Sequence, residues 1–172
     1  MLAFKQNLEF DSILHLILFT KVKNIRELRA QVMSGQLPCA LIKPKLILDP
    51  FQIVVAANKA VVKENVSTII TKSIHTELLF NLSISKNISQ CLVKFGVDDD
   101  DTDLLVAKIS KCTDEPLDVS ELIDGEVSSI EDLGSLSEES VIKKMYGIQD
   151  EELDASDLLD SVVTRIAAKE CL

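Results

Sequence analysis

Tryptophan is missing from this 172-residue chain, tyrosine occurs once and glycine only five times. Few aromatic rings leave the core to Leu, Ile and Val, and few glycines leave little material for a phosphate-cradling loop. No G-x-x-x-x-G-K-[ST], G-x-G-x-x-G or G-x-S-x-G pattern occurs, so nucleotide binding by this chain alone and a serine-hydrolase elbow are not expected. The four cysteines, Cys39, Cys91, Cys112 and Cys171, include no C-x-x-C pair, which excludes the usual zinc and redox spacings and reads as free thiols. The two histidines, His15 and His75, form no H-E-x-x-H and no ligand cluster, so no metal or other cofactor is expected. Long apolar runs are also lacking. Ile13 to Phe19 is interrupted by His15 and preceded by Glu9 and Asp11, wrong for a membrane span or a signal peptide.

Apolar residues nevertheless make up 47% of the chain, enough for one sizeable aliphatic core, and the length is that of a single domain over residues 1–172. The net charge of −10 is divided unevenly. Residues 1–96 carry 12 Lys+Arg and 6 Asp+Glu, whereas residues 97–172 carry 6 and 22. The basic half can meet a phosphate backbone locally, and the acidic half suits a basic partner or merely solubility. Asp98 to Asp103 invites a calcium reading, but an EF-hand loop needs Gly at its sixth position and Glu at its twelfth, where this chain has Asp103 and Ile109.

The clearest element begins at Asp49-Pro50. Asp49 can cap the free N–H groups of a helix, and Pro50 sits where a missing N–H costs nothing. In the helix that follows, to about Glu64, Phe51, Val54, Val55, Asn58 and Val62 share one face and Ile53, Ala56, Ala57 and Ala60 an adjacent one; only Gln52, Lys59 and Lys63 form a polar stripe. A helix so apolar must be covered on two sides, by a sheet on one and by helices or another chain on the other.

Around it the pattern predicts a buried strand over Ile13 to Phe19, a helix capped by Asn24, running to about Ser34 and ended by Gly35, and connecting pieces at Ala40 to Ile42 and Leu46 to Leu48. A second strand is expected over Thr76 to Leu82, then a turn over Ser83 to Lys86 and a short helix from Ile88 to Phe95 capped by Asn87 and stopped by Gly96. Leu104 to Ile109 reads as the third strand and Val127 to Ile130 as a weak fourth. Helix is expected around Glu121, over Ser137 to Tyr146 and over Ser156 to Lys169. The fold class is α+β: a small, mostly antiparallel sheet packed with several helices and a helical C-terminal region.

Several segments resemble one family. Asp49-Pro50-Phe51-Gln52-Ile53-Val54-Val55-Ala56-Ala57-Asn58-Lys59-Ala60-Val61 is followed by Ser73-Ile74-His75-Thr76-Glu77-Leu78-Leu79-Phe80-Asn81-Leu82-Ser83, then Lys86-Asn87-Ile88-Ser89 and Lys94-Phe95-Gly96. Together with Lys21-Val22-Lys23-Asn24 and Val141-Ile142-Lys143-Lys144-Met145-Tyr146, these resemble the PRPK-binding protein family, the kinase-binding subunits of the KEOPS/EKC complex. The resemblance covers nearly the whole chain and is weakest over residues 98–140.

It implies a subunit that is not an enzyme and that binds the N-terminal lobe of the small Bud-type atypical kinase PRPK. Through that kinase it would join a transferase subunit that places a threonylcarbamoyl group on the adenosine beside the anticodon of tRNAs, in the cytoplasm and nucleus. Archaeal members of the family also bind the 3′ CCA end of tRNA. For the kinase, the candidate surface is the stripe Leu158, Val162 and Ile166, whose other reading is packing on the sheet. For tRNA, the candidates are Lys59, Lys63, Lys86, Asn87 and Lys94, basic or hydrogen-bonding residues able to meet phosphates. The competing reading is a free-standing small-molecule enzyme using His75 and Glu77.

Overall fold

The computed structural model of the protein describes residues 3–114, 119 and 121–171. Among these, five strands form one antiparallel sheet: β1 (Ala3–Asn7), β2 (Ser12–Thr20), β3 (Ala40–Ile42), β4 (Leu104–Lys111) and β5 (Glu126–Ser128). The order is β1-β2-β4-β3, with β5 continuing the β1 edge by pairing with the end of β2. Seven helices accompany it: α1 (Ile25–Ser34), α2 (Pro50–Asn65), α3 (Ile74–Leu82), α4 (Ile88–Phe95), α5 (Leu133–Leu136), α6 (Glu139–Tyr146) and α7 (Leu158–Ala167). The expected α+β class holds. No described helix is long and apolar enough to cross a membrane.

The register of the central pair explains the two-layered core. Leu14, Leu16 and Leu18 lie opposite Ile109, Ala107 and Leu105 on one face, and Ile17 and Phe19 lie opposite Val106 and Leu104 on the other. The first set joins Ile53, Ala56, Ala57, Ala60, Leu78, Leu82, Val162 and Ile166 in the larger core; the second joins Ile25, Leu28, Leu37 and Leu41 in a smaller one beneath α1. Each fully buried Leu or Ile contributes roughly 1.5–3 kcal/mol through area removed from water. A sheet covered on both faces therefore accounts for the continuous apolar run in β2.

One expected helix start and one expected helix end are realised. The Asp49 carboxylate accepts from the Phe51 N–H at 2.7 Å, and Gly35 closes α1 in the left-handed region at φ 81°. Asn24 stands at the start of α1 but does not cap it: its side-chain oxygen accepts from the Asp124 N–H at 3.0 Å, and its amide donates to the Leu122 carbonyl at 2.9 Å.

The expected strand over Thr76 to Leu82 is instead α3. Ser73 and Thr76 form a reciprocal capping box, the Ser73 hydroxyl accepting from the Thr76 N–H at 3.2 Å and the Thr76 hydroxyl from the Ser73 N–H at 2.9 Å. His75, Glu77, Leu78, Leu79, Phe80, Asn81 and Leu82 are all buried, so no polar face betrays the helical period. Ala40–Ile42 is a short strand rather than a connector, because its antiparallel partner Leu105 to Ala107 accepts it at the sheet edge. The region around Glu121 forms a turn, not a helix.

Candidate functional site

The sheet, α3 and α7 cover α2 from several sides and leave one face open. Ile53, Ala56, Ala57, Ala60 and Val61 point inward with at most 1% of their surface exposed. The alanines let α3 approach closely enough for the Asn81 amide to donate to the Ala56 carbonyl at 3.2 Å. On the other side Phe51 is 51% exposed, Val62 is exposed, and Val54 and Val55 are half-buried. Two adjoining hollows run along this face. One of about 570 Å³ is lined by Phe4, Leu48, Pro50, Phe51, Val54, Ile130 and Leu133, with Asp49 and Glu131 also on its walls; the other, about 440 Å³, lies between Phe51, Val54, Val55, Leu8 and Asn58. Together they form an apolar trough centred on an exposed aromatic ring and edged by charge, the anatomy of a protein-docking surface.

The supposed polar stripe of α2 is largely internal. Gln52 is fully buried, its oxygen accepting from the Leu48 N–H at 3.1 Å and its amide donating to the Leu46 carbonyl at 3.2 Å and the Tyr146 hydroxyl at 3.1 Å. Burial pushes the Tyr146 hydroxyl well above its ordinary pKa, and this hydroxyl donates to the Leu82 carbonyl. Lys59 donates to the last carbonyls of α7, Ile166 at 2.6 Å and Ala167 at 3.1 Å, and pairs with Glu170 at 2.7 Å. Lys63 pairs with Glu170 at 2.8 Å and with Glu77 at 3.3 Å. Both amines therefore satisfy the chain's own carbonyls and carboxylates. Lys86, Asn87 and Lys94 lie elsewhere, exposed at and after the start of α4, where the Asn87 side chain accepts from the Gln90 N–H at 3.0 Å.

The α7 stripe is a correction. Val162 and Ile166 are 0% exposed within the larger core, and Leu158 is partly buried against it, so the stripe is packed inside the molecule, against α2 and α6 rather than on the sheet. A side chain with no accessible surface cannot dock a partner. The sequence signal that favours the trough was present in the Phe51, Val54, Val55, Asn58 and Val62 face of α2, but nothing local separates it from the face that the sheet covers.

His75 and Glu77 do not assemble catalytic chemistry. His75 is buried, its Nε2 accepting from the Ile109 N–H at 3.1 Å where β4 runs beyond β3. Burial, aided by the Lys108 charge, lowers its pKa to about 4, so the ring stays a neutral acceptor at ordinary pH. Glu77 accepts from the Ile70 and Thr71 N–H groups at 3.2 and 3.1 Å and from the Thr71 hydroxyl at 2.9 Å. The His75 Nε2 and the Glu77 carboxylate are thus occupied by the fold's own hydrogen bonds. The Cys39 thiol is likewise buried, which pushes its pKa up to about 12 and makes thiolate chemistry unfavourable.

The exposed apolar trough along α2 has the form of a protein-docking surface, as in a protein-binding module. The family model described as "Kinase binding protein CGI-121" matches residues 19–170. The "EKC/KEOPS complex subunit TPRKB" of Danio rerio is 36% identical over 157 residues, 90% of this chain and 89% of that protein. The "EKC/KEOPS complex subunit CGI121" proteins of Kluyveromyces lactis and Yarrowia lipolytica are 30% and 28% identical, covering 76% and 80% of this chain and 83% and 81% of their own lengths. The chain belongs to the CGI-121 family of kinase-binding proteins.

Proposed function

We propose that the protein is the kinase-binding subunit of a KEOPS/EKC complex and that it docks the Bud-type atypical kinase PRPK along the α2 trough. By holding that kinase beside the threonylcarbamoyl transferase subunit, it supports modification of the adenosine next to the tRNA anticodon. The observation that carries the reading is Phe51, half exposed between two apolar hollows on a helix whose other face is buried in the core. The kinase-binding family and the complex to which the relatives belong supply the partner class. Co-expression with the kinase followed by affinity capture tests it. Phe51→Glu abolishes capture while the isolated protein keeps its thermal midpoint; capture at the wild-type level overturns the trough as the docking surface.

A direct tRNA contact is the second part of the reading. It is supported by the exposed positions of Lys86, Asn87 and Lys94 on one short segment, and not by Lys59 or Lys63, whose amines are engaged internally. Filter binding of tRNA against salt gives a slope that falls by about one when Lys94 becomes Glu. An unchanged slope for that variant and for Lys86→Glu rules out backbone contact through this segment.

A further inference from the structure

The antiparallel register sets Lys5 of β1 opposite His15 of β2, and His15 opposite Lys108 of β4. Residues directly opposite project to the same face with Cβ atoms about 4.5–5.5 Å apart, so a basic row crosses three strands over roughly 10 Å. Like charges facing one another in a sheet are destabilising. Lys5 is exposed and His15 and Lys108 are half-buried, and among the described residues none of the three makes a hydrogen bond or ion pair through its side chain.

Elsewhere in the molecule several buried or half-buried cations are paired with carboxylates. Lys43 pairs with Asp98 at 2.5 Å, Lys63 with Glu170 at 2.8 Å and Arg165 with Glu152 at 2.7 Å. Carboxylates are not scarce, at 28 Asp+Glu against 18 Lys+Arg, yet among the described residues none is paired with this row. Ser110, opposite Ile13 and two residues from Lys108 on the same face, adds a neutral hydroxyl. Partial burial, with the charges of Lys5 and Lys108, holds the His15 imidazole below its ordinary pKa, so the ring senses both amines.

We propose that Lys5, His15 and Lys108, with Ser110 beside them, form a binding site for a phosphoryl anion. A carboxylate brings one charge and two oxygens, whereas a phosphoryl group can bring three acceptor oxygens and up to two charges to donors spread over three strands. The anion is the phosphate of a small compound or the phosphodiester of a nucleic acid strand. The site is separate from the kinase trough, because Phe4 and Gln6 line that trough while Lys5, between them, projects to the opposite side of β1.

The chain has two histidines, which makes a direct test available. NMR titration of the full chain follows both imidazoles with pyrophosphate, with a single-stranded oligoribonucleotide and with polyglutamate. Either phosphate probe raises the His15 midpoint by about half a pH unit, because a bound anion offsets the charges of both Lys5 and Lys108, and moves the buried His75, which feels Lys108 alone, by less. A response to pyrophosphate alone assigns a small phosphate compound. A tighter response to the oligoribonucleotide, whose salt slope falls by about one in Lys5→Gln, assigns a nucleic acid strand. Lys108→Gln weakens either interaction at least tenfold, and Lys5→Gln, on an exposed edge position, does so without a packing change. No shift of His15, an equal shift with polyglutamate, or undiminished binding by Lys5→Gln overturns the proposal. Kinase capture is unaffected by Lys5→Gln, so failure here is distinguishable from failure of the trough.

Discussion

Helices α2 and α7 carry comparable apolar stripes but meet different fates. The α7 stripe is filled by packing against α2 and α6, with Val162 and Ile166 at 0% exposure, whereas α2 has more apolar faces than the fold can cover and leaves Phe51 51% exposed. Stripe hydrophobicity reports that a face will be covered, not whether the same chain covers it. Surplus is the more informative signal. A ten-residue helix with one stripe satisfies it by packing, and a sixteen-residue helix apolar over most of its circumference has a face to spare.

Substitutions separate the two cases, beginning with the largest effect. Val162→Asp places a carboxylate in the larger core without a partner and costs at least about 4 kcal/mol, so far-ultraviolet circular dichroism and urea titration report a largely unfolded protein. Glu77→Ala leaves the Ile70 and Thr71 N–H groups and the Lys63 amine without their shared acceptor and costs about 3 kcal/mol in the same titration. Phe51→Glu should change stability by no more than about 0.5 kcal/mol while weakening kinase binding by at least about 2 kcal/mol, near thirtyfold, measured by calorimetry. If Phe51→Glu unfolds the protein instead, α2 and α7 are alike and the contrast disappears.

The smallest effect concerns the bond between the two helices' ends. Burial opposes ionisation of Glu170, but the Lys59 and Lys63 hydrogen bonds outweigh it and hold its pKa at about 2 against an ordinary 4.5. A depressed carboxyl pKa stabilises the fold fully above the ordinary value and loses that contribution as pH falls from about 4.5 towards 2. Glu170→Gln should therefore flatten the acid limb of the stability profile in that window and change little at pH 7 beyond the lost pair, as followed by thermal melts against pH.

The charge division along the chain is resolved in the same way. Lys21 meets Glu126, Arg26 and Arg29 meet Asp99, Lys43 meets Asp98 and Lys59 meets Glu170, so much of the basic half is neutralised by the acidic half across the fold. Part of the acidic segment 98–103, unassigned from sequence, is thus a counter-charge for α1 and for the start of the α2 approach. The exposed pairs among these, such as Lys21–Glu126, contribute little each, roughly 0–1 kcal/mol, but all of them engage cations that sequence alone offers to RNA.

Local chemistry was legible wherever a residue acts on its neighbours. Asp49-Pro50, Asn87 and Gly35 mark helix ends from within a few residues, and the apolar run of β2 announces a strand covered on both sides. The Ser73–Thr76 box was equally local but was outweighed by a segment buried all round, which carries no period for either structure. The edge strand β1, mostly exposed and short, gives no apolar run at all.

The sequence by itself determined that this is an α+β chain with an aliphatic core, without a catalytic motif, and with a central helix too apolar to be satisfied by one neighbour. Its residues also carried the family. Only the tertiary structure decided which apolar face stays open, which lysines are consumed by carbonyls and carboxylates far along the chain, and which basic residues come into register across three strands. The reason is physical: capping and periodicity act over a turn of backbone, whereas exposure and charge pairing depend on contacts between segments a hundred residues apart, as Lys59 with Glu170 illustrates.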